Sequence, residues 1–324
     1  MTLRRLLVAG VVLALSSGTL AGAAARPATV SARIAVGRGA GVPAVDGNAV
    51  WVPATKLGSV VRVDVAGKRV VKSIKLGAPP RFTGYLDSAV IAAGSVWVAR
   101  DVGDEIDRID PARNRLTARI KVDSRPGGLA VGGGYVWAFH FLGPYVTRID
   151  ATTGAKRVFT IQGAAGTGIA YDAGAVWLLT ATPSSVIKLD PGSGAVLARV
   201  PIVPPRPPKH GIVDTWWIAA GGGSLWAVNA NYDRVTRVDE ATGKAVASVS
   251  VPVSIPFGVV VYRGAAWVAG EGKVVRVDPA TNRVAGVVTL SRSSRPVFTQ
   301  VAAGPSGLWA TDYDAGTLYR LRVP

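Results

Sequence analysis

The sequence predicts an all-β protein, a single ring of seven four-stranded blades, and three observations carry that prediction. Seven tryptophans, each preceded by an apolar residue, recur at Trp51, Trp97, Trp137, Trp177, Trp226, Trp267 and Trp309. Their spacings of 46, 40, 40, 49, 41 and 42 residues match the period of a propeller blade. An aspartate closing a basic-apolar-Asp triplet follows the first five at a distance of 13, at Asp64, Asp110, Asp150, Asp190 and Asp239. In the sixth copy the interval is 11, ending at Asp278, and in the seventh the equivalent position is Arg322. The third observation is that the seventh copy lacks a fourth strand, while Ser31-Ala32-Arg33-Ile34-Ala35-Val36 is a fourth strand with no Trp strand before it.

In chain order, residues 1–25 read as a signal peptide: Arg4 and Arg5 form a basic start, Leu6 to Leu15 an apolar stretch, and the alanines up to Ala25 offer a small-residue cleavage site. An uncleaved membrane anchor is the alternative, since Leu6 to Ala25 is about long enough to span a bilayer. The domain itself is expected over 26–324. Within each copy an inner strand such as Gly128-Leu129-Ala130-Val131 leads into the Trp strand, then the strand ending in Asp, then an outer alternating strand such as Thr117-Ala118-Arg119-Ile120-Lys121-Val122. The N-terminal strand resembles that last segment and is expected to complete the seventh blade, which removes exposed edges. Gly132-Gly133-Gly134 and Gly221-Gly222-Gly223 read as hairpin glycines and not as phosphate cradles.

Composition agrees with a large β core. Hydrophobic residues make up 49% and charged residues 18%, with 39 glycines and 21 prolines. With no cysteine there is no disulfide framework, thiolate nucleophile or Cys-ligated metal, so burial alone must stabilise the fold. A net charge of +17 points to an anionic partner. Much of that charge is periodic, however. Arg62, Arg108, Arg148, Lys188, Arg237, Arg276 and Arg320 stand two residues before the triplet's last position in every copy, which marks them as framework and weakens a nucleic-acid reading.

The copies resemble the YVTN-repeat, or YncE-like, propellers of exported bacterial proteins. The residues that carry the likeness are Val96-Trp97-Val98, Ala266-Trp267-Val268, and Val235-Thr236-Arg237-Val238-Asp239 with Thr242-Gly243-Lys244-Ala245-Val246. That resemblance implies a seven-bladed ring in the cell envelope or outside the cell, and leaves function open because propellers host many activities. The chain also resembles virginiamycin B (streptogramin) lyases in its blade pattern. Those carry Trp-Phe-Thr-Glu units and a magnesium-dependent histidine-and-glutamate site, whereas here the residue three beyond the tryptophan is never Glu.

That residue varies from copy to copy: Ala54, Arg100, His140, Thr180, Asn229, Gly270 and Asp312. Positions that repeat serve the blade, and positions that vary are free to serve a ligand. The candidate ligand-binding residues are therefore Arg100, His140, Thr180, Asn229, Glu271 and Asp312, ringing one mouth of the channel. Phe141, Asn231, Tyr232, Tyr313 and Asp314 adjoin them. Blade connections at Gly77 to Asp87 (Arg81, Phe82, Tyr85), at Pro201 to Asp214 (Arg206, Lys209, His210) and at Arg292 and Arg295 add a basic, aromatic rim. Trp216 and Trp217 lie outside the repeat register, and one is expected at a mouth. No cofactor motif and no catalytic constellation stands out. The expectation is an exported, monomeric binding module that takes an envelope ligand or protein, with an anionic or sugar-containing ligand favoured. The alternative is a metal-dependent lyase-like or lactonase-like enzyme centred on His140, Glu271 and Asp312.

Overall fold

A computed structural model describes residues 27–78, 87–100, 103–202, 208–211, 215–291 and 298–324. It is a closed ring of seven antiparallel four-stranded sheets. Blade one comprises Ala44–Val45, Ala49–Ala54, Ser59–Asp64 and Arg69–Lys75, and blade two Ser88–Ala92, Ser95–Arg100, Glu105–Asp110 and Arg115–Lys121. Blade three runs through Pro126–Gly132, Tyr135–His140, Tyr145–Asp150 and Lys156–Thr160. Blade four follows with Gly166–Asp172, Ala175–Ala181, Ser184–Leu189 and Val196–Pro201. Blade five holds Ile218–Gly221, Ser224–Asn229, Arg234–Asp239 and Lys244–Ser250, and blade six Gly258–Tyr262, Ala265–Gly270, Lys273–Asp278 and Arg283–Thr289.

Blade seven has Thr299–Gly304, Gly307–Asp312 and Thr317–Arg322 and takes its outer strand from Thr29–Ala35. The two segments pair antiparallel from Thr29↔Arg322 to Ala35↔Thr317, with one irregularity between Val30 and Ala32. Among the described residues the only helices are two short 3-10 turns, Thr55–Leu57 and Ala230–Tyr232, and no helix is long and apolar enough to cross a membrane. The expected signal segment 1–25 lies outside the described residues.

Burial follows position within the blade. The second strand is covered on both faces by neighbouring sheets, so Ala49–Ala54 and Ala265–Gly270 are buried at every residue. The outer strand meets solvent on one face, and Arg115–Lys121 alternates exposed and half-buried. All seven tryptophans are at most 1% exposed. Each lies against the next blade: Trp137 packs with Ile169, Val176 and Leu178, and Trp309 with Val50, Val52 and Val61 of blade one. The core is thus a set of inter-blade seams rather than one centre.

The periodic cations close these seams at one end of the ring, here called the lower face, where the inner hairpins and the third-to-outer turns lie. Strand register puts each cation opposite the tryptophan of its own blade, as in Trp51↔Arg62 and Trp97↔Arg108. Their guanidinium carbons stand 5.3 and 5.2 Å from the ring centres, within cation–π range. The same side chains reach over the seam. Arg62 donates to Pro111 O and Asn114 Oδ1, Arg108 to Thr152 O, Arg148 to Pro191 O, and Arg237 to Pro279 O. Each bolts its tryptophan to the turn of the following blade. The aspartates cap those turns: Asp150 Oδ1 accepts from the Thr152 and Thr153 amides and Asp190 Oδ1 from those of Gly192 and Ser193. The expected hairpin glycines take left-handed φ values, 61° at Gly133 and 62° at Gly222.

Candidate functional site

The second strand of each blade runs toward the opposite, upper face, which also carries the blade-to-blade connections. The candidate residues therefore lie at one end of the ring, but each is engaged within its own surroundings. Arg100 is mostly buried, its side chain 18% exposed, with Nη1 2.9 Å from Glu105 Oε2 and 4.0 Å from Asp107 Oδ2. His140 is fully buried; its Nδ1 faces Ser124 O at 2.5 Å and its Nε2 faces Thr147 Oγ1 at 2.8 Å. Burial holds the imidazole below its usual pKa, against the raising effect of the Ser124 contact. The Thr180 hydroxyl, also buried, serves the carbonyls of Pro183 and Ser185.

Asn229 accepts from Thr236 Oγ1 at 2.6 Å and donates to Ile202 O at 3.4 Å. Asp312, 3% exposed, accepts from the Ala315 amide, and burial raises its carboxyl above the usual range. Glu271 alone is exposed, its carboxylate 3.3 Å from the Ser254 amide.

A local rule explains three of these partners. The turn between second and third strands returns the chain so that position i at the end of one meets i+7 on the other. Arg100 with Asp107, His140 with Thr147 and Asn229 with Thr236 are all such pairs. The most demanding is in blade two. Asp107 is completely buried and neither oxygen accepts a hydrogen bond among the described residues. Burial pushes its carboxyl up to about 6, against the lowering effect of Arg100 and of Arg119, whose Nε is 3.8 Å away.

The two histidines stand apart in their contacts. His210 Nε2 and Lys209 Nζ reach Asp233 at 2.8 and 2.9 Å, and the His210 and Gly211 amides donate to Asn231 Oδ1. Burial raises the Asp233 carboxyl, but bonds from Lys209 and His210 hold it below the usual range on balance. Among the described residues no group of three His, Cys, Asp or Glu is placed to hold a metal ion. Arg81, Phe82, Tyr85, Arg206, Asp214, Arg292 and Arg295, named for the rim, lie outside the described residues.

Near the upper face aromatic rings from four blades meet, Phe257 buried and Phe141, Trp216 and Phe298 half-buried. Phe141, from the turn of blade three, stacks on Trp216 at the entrance to the inner strand of blade five, with centroids 5.5 Å apart and planes 14° from parallel. Trp216 meets Phe257 of blade six at 4.7 Å, and Phe257 meets Phe298 of blade seven at 5.3 Å. The Arg125 guanidinium lies over Phe141 at 4.8 Å. Trp217 reaches back to Phe139, and a Cβ on Gly128 would meet both rings, at 2.7 and 3.0 Å. Trp216 and Trp217 are half-buried, and the Trp216 Nε1 donor has no partner among the described residues. Phe257, Phe298 and Arg125 escaped the sequence reading. Their signal is an aromatic or basic residue just before or at the start of an inner strand, which the tryptophan register does not mark.

No protein-family profile matches the chain, and no curated protein matches it significantly. Solved structures do match. A streptogramin B lyase is 16% identical with a TM-score of 0.73, covering 89% of this chain and 94% of that one. A virginiamycin B lyase from Staphylococcus aureus is also 16% identical, with a TM-score of 0.72 over 89% and 95% of the two chains. The WD40 propeller domain of Doa1 is 12% identical with a TM-score of 0.73 over 91% and 97%. The chain shares with these proteins the fold of a β-propeller similar to the streptogramin B lyase-like rings.

Proposed function

We propose that the protein is an exported binding module of the cell envelope that takes a sugar-containing, anionic ligand on the aromatic mouth of its upper face. One observation supports this above the others: the half-buried rings of Phe141, Trp216 and Phe298 are joined through the buried Phe257 into one row contributed by four blades. Aromatic faces stack on the apolar faces of sugar rings, and an indole N–H with no partner among the described residues, beside a guanidinium, supplies a donor and a positive charge. Export rests on the N-terminal pattern of Arg4, Arg5 and the following apolar stretch, and the YVTN-like units agree with it. Of the six candidate residues, Arg100, His140, Thr180, Asn229 and Asp312 are largely buried and serve their own blades, while Glu271 is exposed.

The test is a tryptophan-fluorescence titration with an acidic disaccharide and its neutral counterpart. The acidic sugar is expected to saturate the signal, and Trp216→Ala to weaken it about tenfold, a loss of about 1.4 kcal/mol, while the melting temperature moves little. Equal affinity in wild type and Trp216→Ala would remove the mouth from the reading. The fold likeness to streptogramin B lyases supports a second reading, a lyase-like enzyme using His140, Glu271 and Asp312. It requires turnover that disappears on chelation and in His140→Ala.

A further inference from the structure

At the lower face blade seven differs from the others at one corner. In blades one to six a turn joins the third strand to the outer strand and fills the space below the seam. Blade seven takes its outer strand from Thr29–Ala35, so no turn links Arg322 to Thr29. The corner is an open cavity of about 370 Å³, bounded by Ser31, Lys68 of blade one, Tyr262 and Arg263 of blade six, and Ser306 and Arg320 of blade seven, with Arg322 beside them. Its described walls include four cations and no Asp or Glu side chain.

The cations are arranged in two ways. Arg320 is held rigidly: its guanidinium lies 5.4 Å from the Trp309 ring, and Nη2 donates to Ser306 O at 3.1 Å in place of a turn of the next blade. Arg263 lies over Tyr262 at 5.5 Å and reaches the carbonyl of Val323 and an oxygen of Pro324, the last residue. Lys68 and Arg322 are exposed and have no ion-pair partner among the described residues. The Ser306 hydroxyl is buried with no hydrogen-bond partner among those residues. Two anchored guanidiniums, two cations without an ion-pair partner among the described residues and an unmet hydroxyl around one cavity make a receptor for an oxyanion, since several charge-assisted donors converge there.

We infer that this corner is a second binding site, specific for a phosphate-type oxyanion and separate from the aromatic mouth. The cavity is large enough for a phosphate group and part of the molecule that bears it. That bearer is either a small soluble phosphate ester or the headgroup of a lipid at a membrane surface.

Calorimetric titration of the full described chain with sn-glycerol 3-phosphate, and sedimentation with vesicles containing phosphatidylglycerol, separate the two at constant ionic strength. Saturable binding in either arm is expected, weakened about tenfold by Arg322→Ala and by Lys68→Gln, since one charge-assisted hydrogen bond contributes on that order. Lys244→Ala, which removes an exposed charge from the outer strand of blade five, is expected to change neither arm. Binding in the first arm alone assigns a soluble ester, and binding in the second alone or more tightly a headgroup. Absence of saturable binding in both arms, or equal weakening by Lys244→Ala, overturns the proposal. Trp216→Ala leaves this binding intact, so the fate of the upper-face reading is decided independently.

Discussion

The two ends of the ring solve the same packing problem in different ways. At the lower face one device is repeated: a cation on a tryptophan, reaching a carbonyl of the next turn, as in Arg62 to Pro111 and Arg148 to Pro191. At the upper face each blade has its own solution, an ion pair in blade two, a histidine and threonine in blade three, an asparagine and threonine in blade five. Variation among copies therefore does not by itself mark a residue as free for a ligand. A position also varies when it need only match its own neighbours, as the different pairs in blades two, three and five show. The aromatic row and the lower corner are better markers, because they gather residues from several blades at one place.

Three perturbations test this contrast, beginning with the most damaging. Deleting residues 29–36 strips blade seven of its outer strand and exposes the unpaired edge of Thr317–Arg322. Aggregation or a melting temperature many degrees lower is expected in light scattering and thermal unfolding, and a stable monomer would mean that the closing strand is dispensable. Trp137→Ala tests the repeated device, since Trp137 stacks between Phe159 and Tyr171, at 6.2 and 6.4 Å, and supports Arg148. The change is expected to cost roughly 3–5 kcal/mol in urea unfolding, and a cost below about 1 kcal/mol would contradict the seam description.

Asp107→Asn tests the other end and is expected to stabilise. The folded carboxyl titrates near 6 and the unfolded one near 3.8. Between those values the unfolded chain has released its proton while the folded chain retains it. The stability attached to Asp107 is therefore complete below 3.8 and declines as pH rises through 6. Asparagine removes that decline. The variant is expected to be more stable than wild type at pH 7 to 8, by up to about 3 kcal/mol, with the difference closing as pH falls toward 4. A pH-independent difference would show that Arg100 and Arg119 fully compensate the charge.

The ring was legible in the sequence because its determinants are local and repeated. A large aromatic every forty or so residues, an aspartate at fixed distance and an orphan strand specify blades, turns and closure. The framework role of the cations was legible too, although their contact with tryptophan follows only once Trp51 and Arg62 are known to face each other across two strands. The surroundings of the candidate residues were not, because whether Arg100 points to solvent or to Asp107 depends on strand register and turn length together. The pairing of Phe141 with Trp216 joins residues 75 apart through the curvature of the ring, and no local pattern records it.

The closing strand also changes what the backbone is topologically. With Thr29–Ala35 zipped to Thr317–Arg322, the linear polypeptide behaves as a loop fastened by hydrogen bonds, and the position of the fastening is arbitrary with respect to the sevenfold array. This zipper joins residues almost three hundred positions apart, so its closure entropy is among the largest in the molecule and the seam is expected to form late in folding. Until then the blades are an open arc. Once it has formed, a break in any single blade connection leaves both fragments clasped in the same circle.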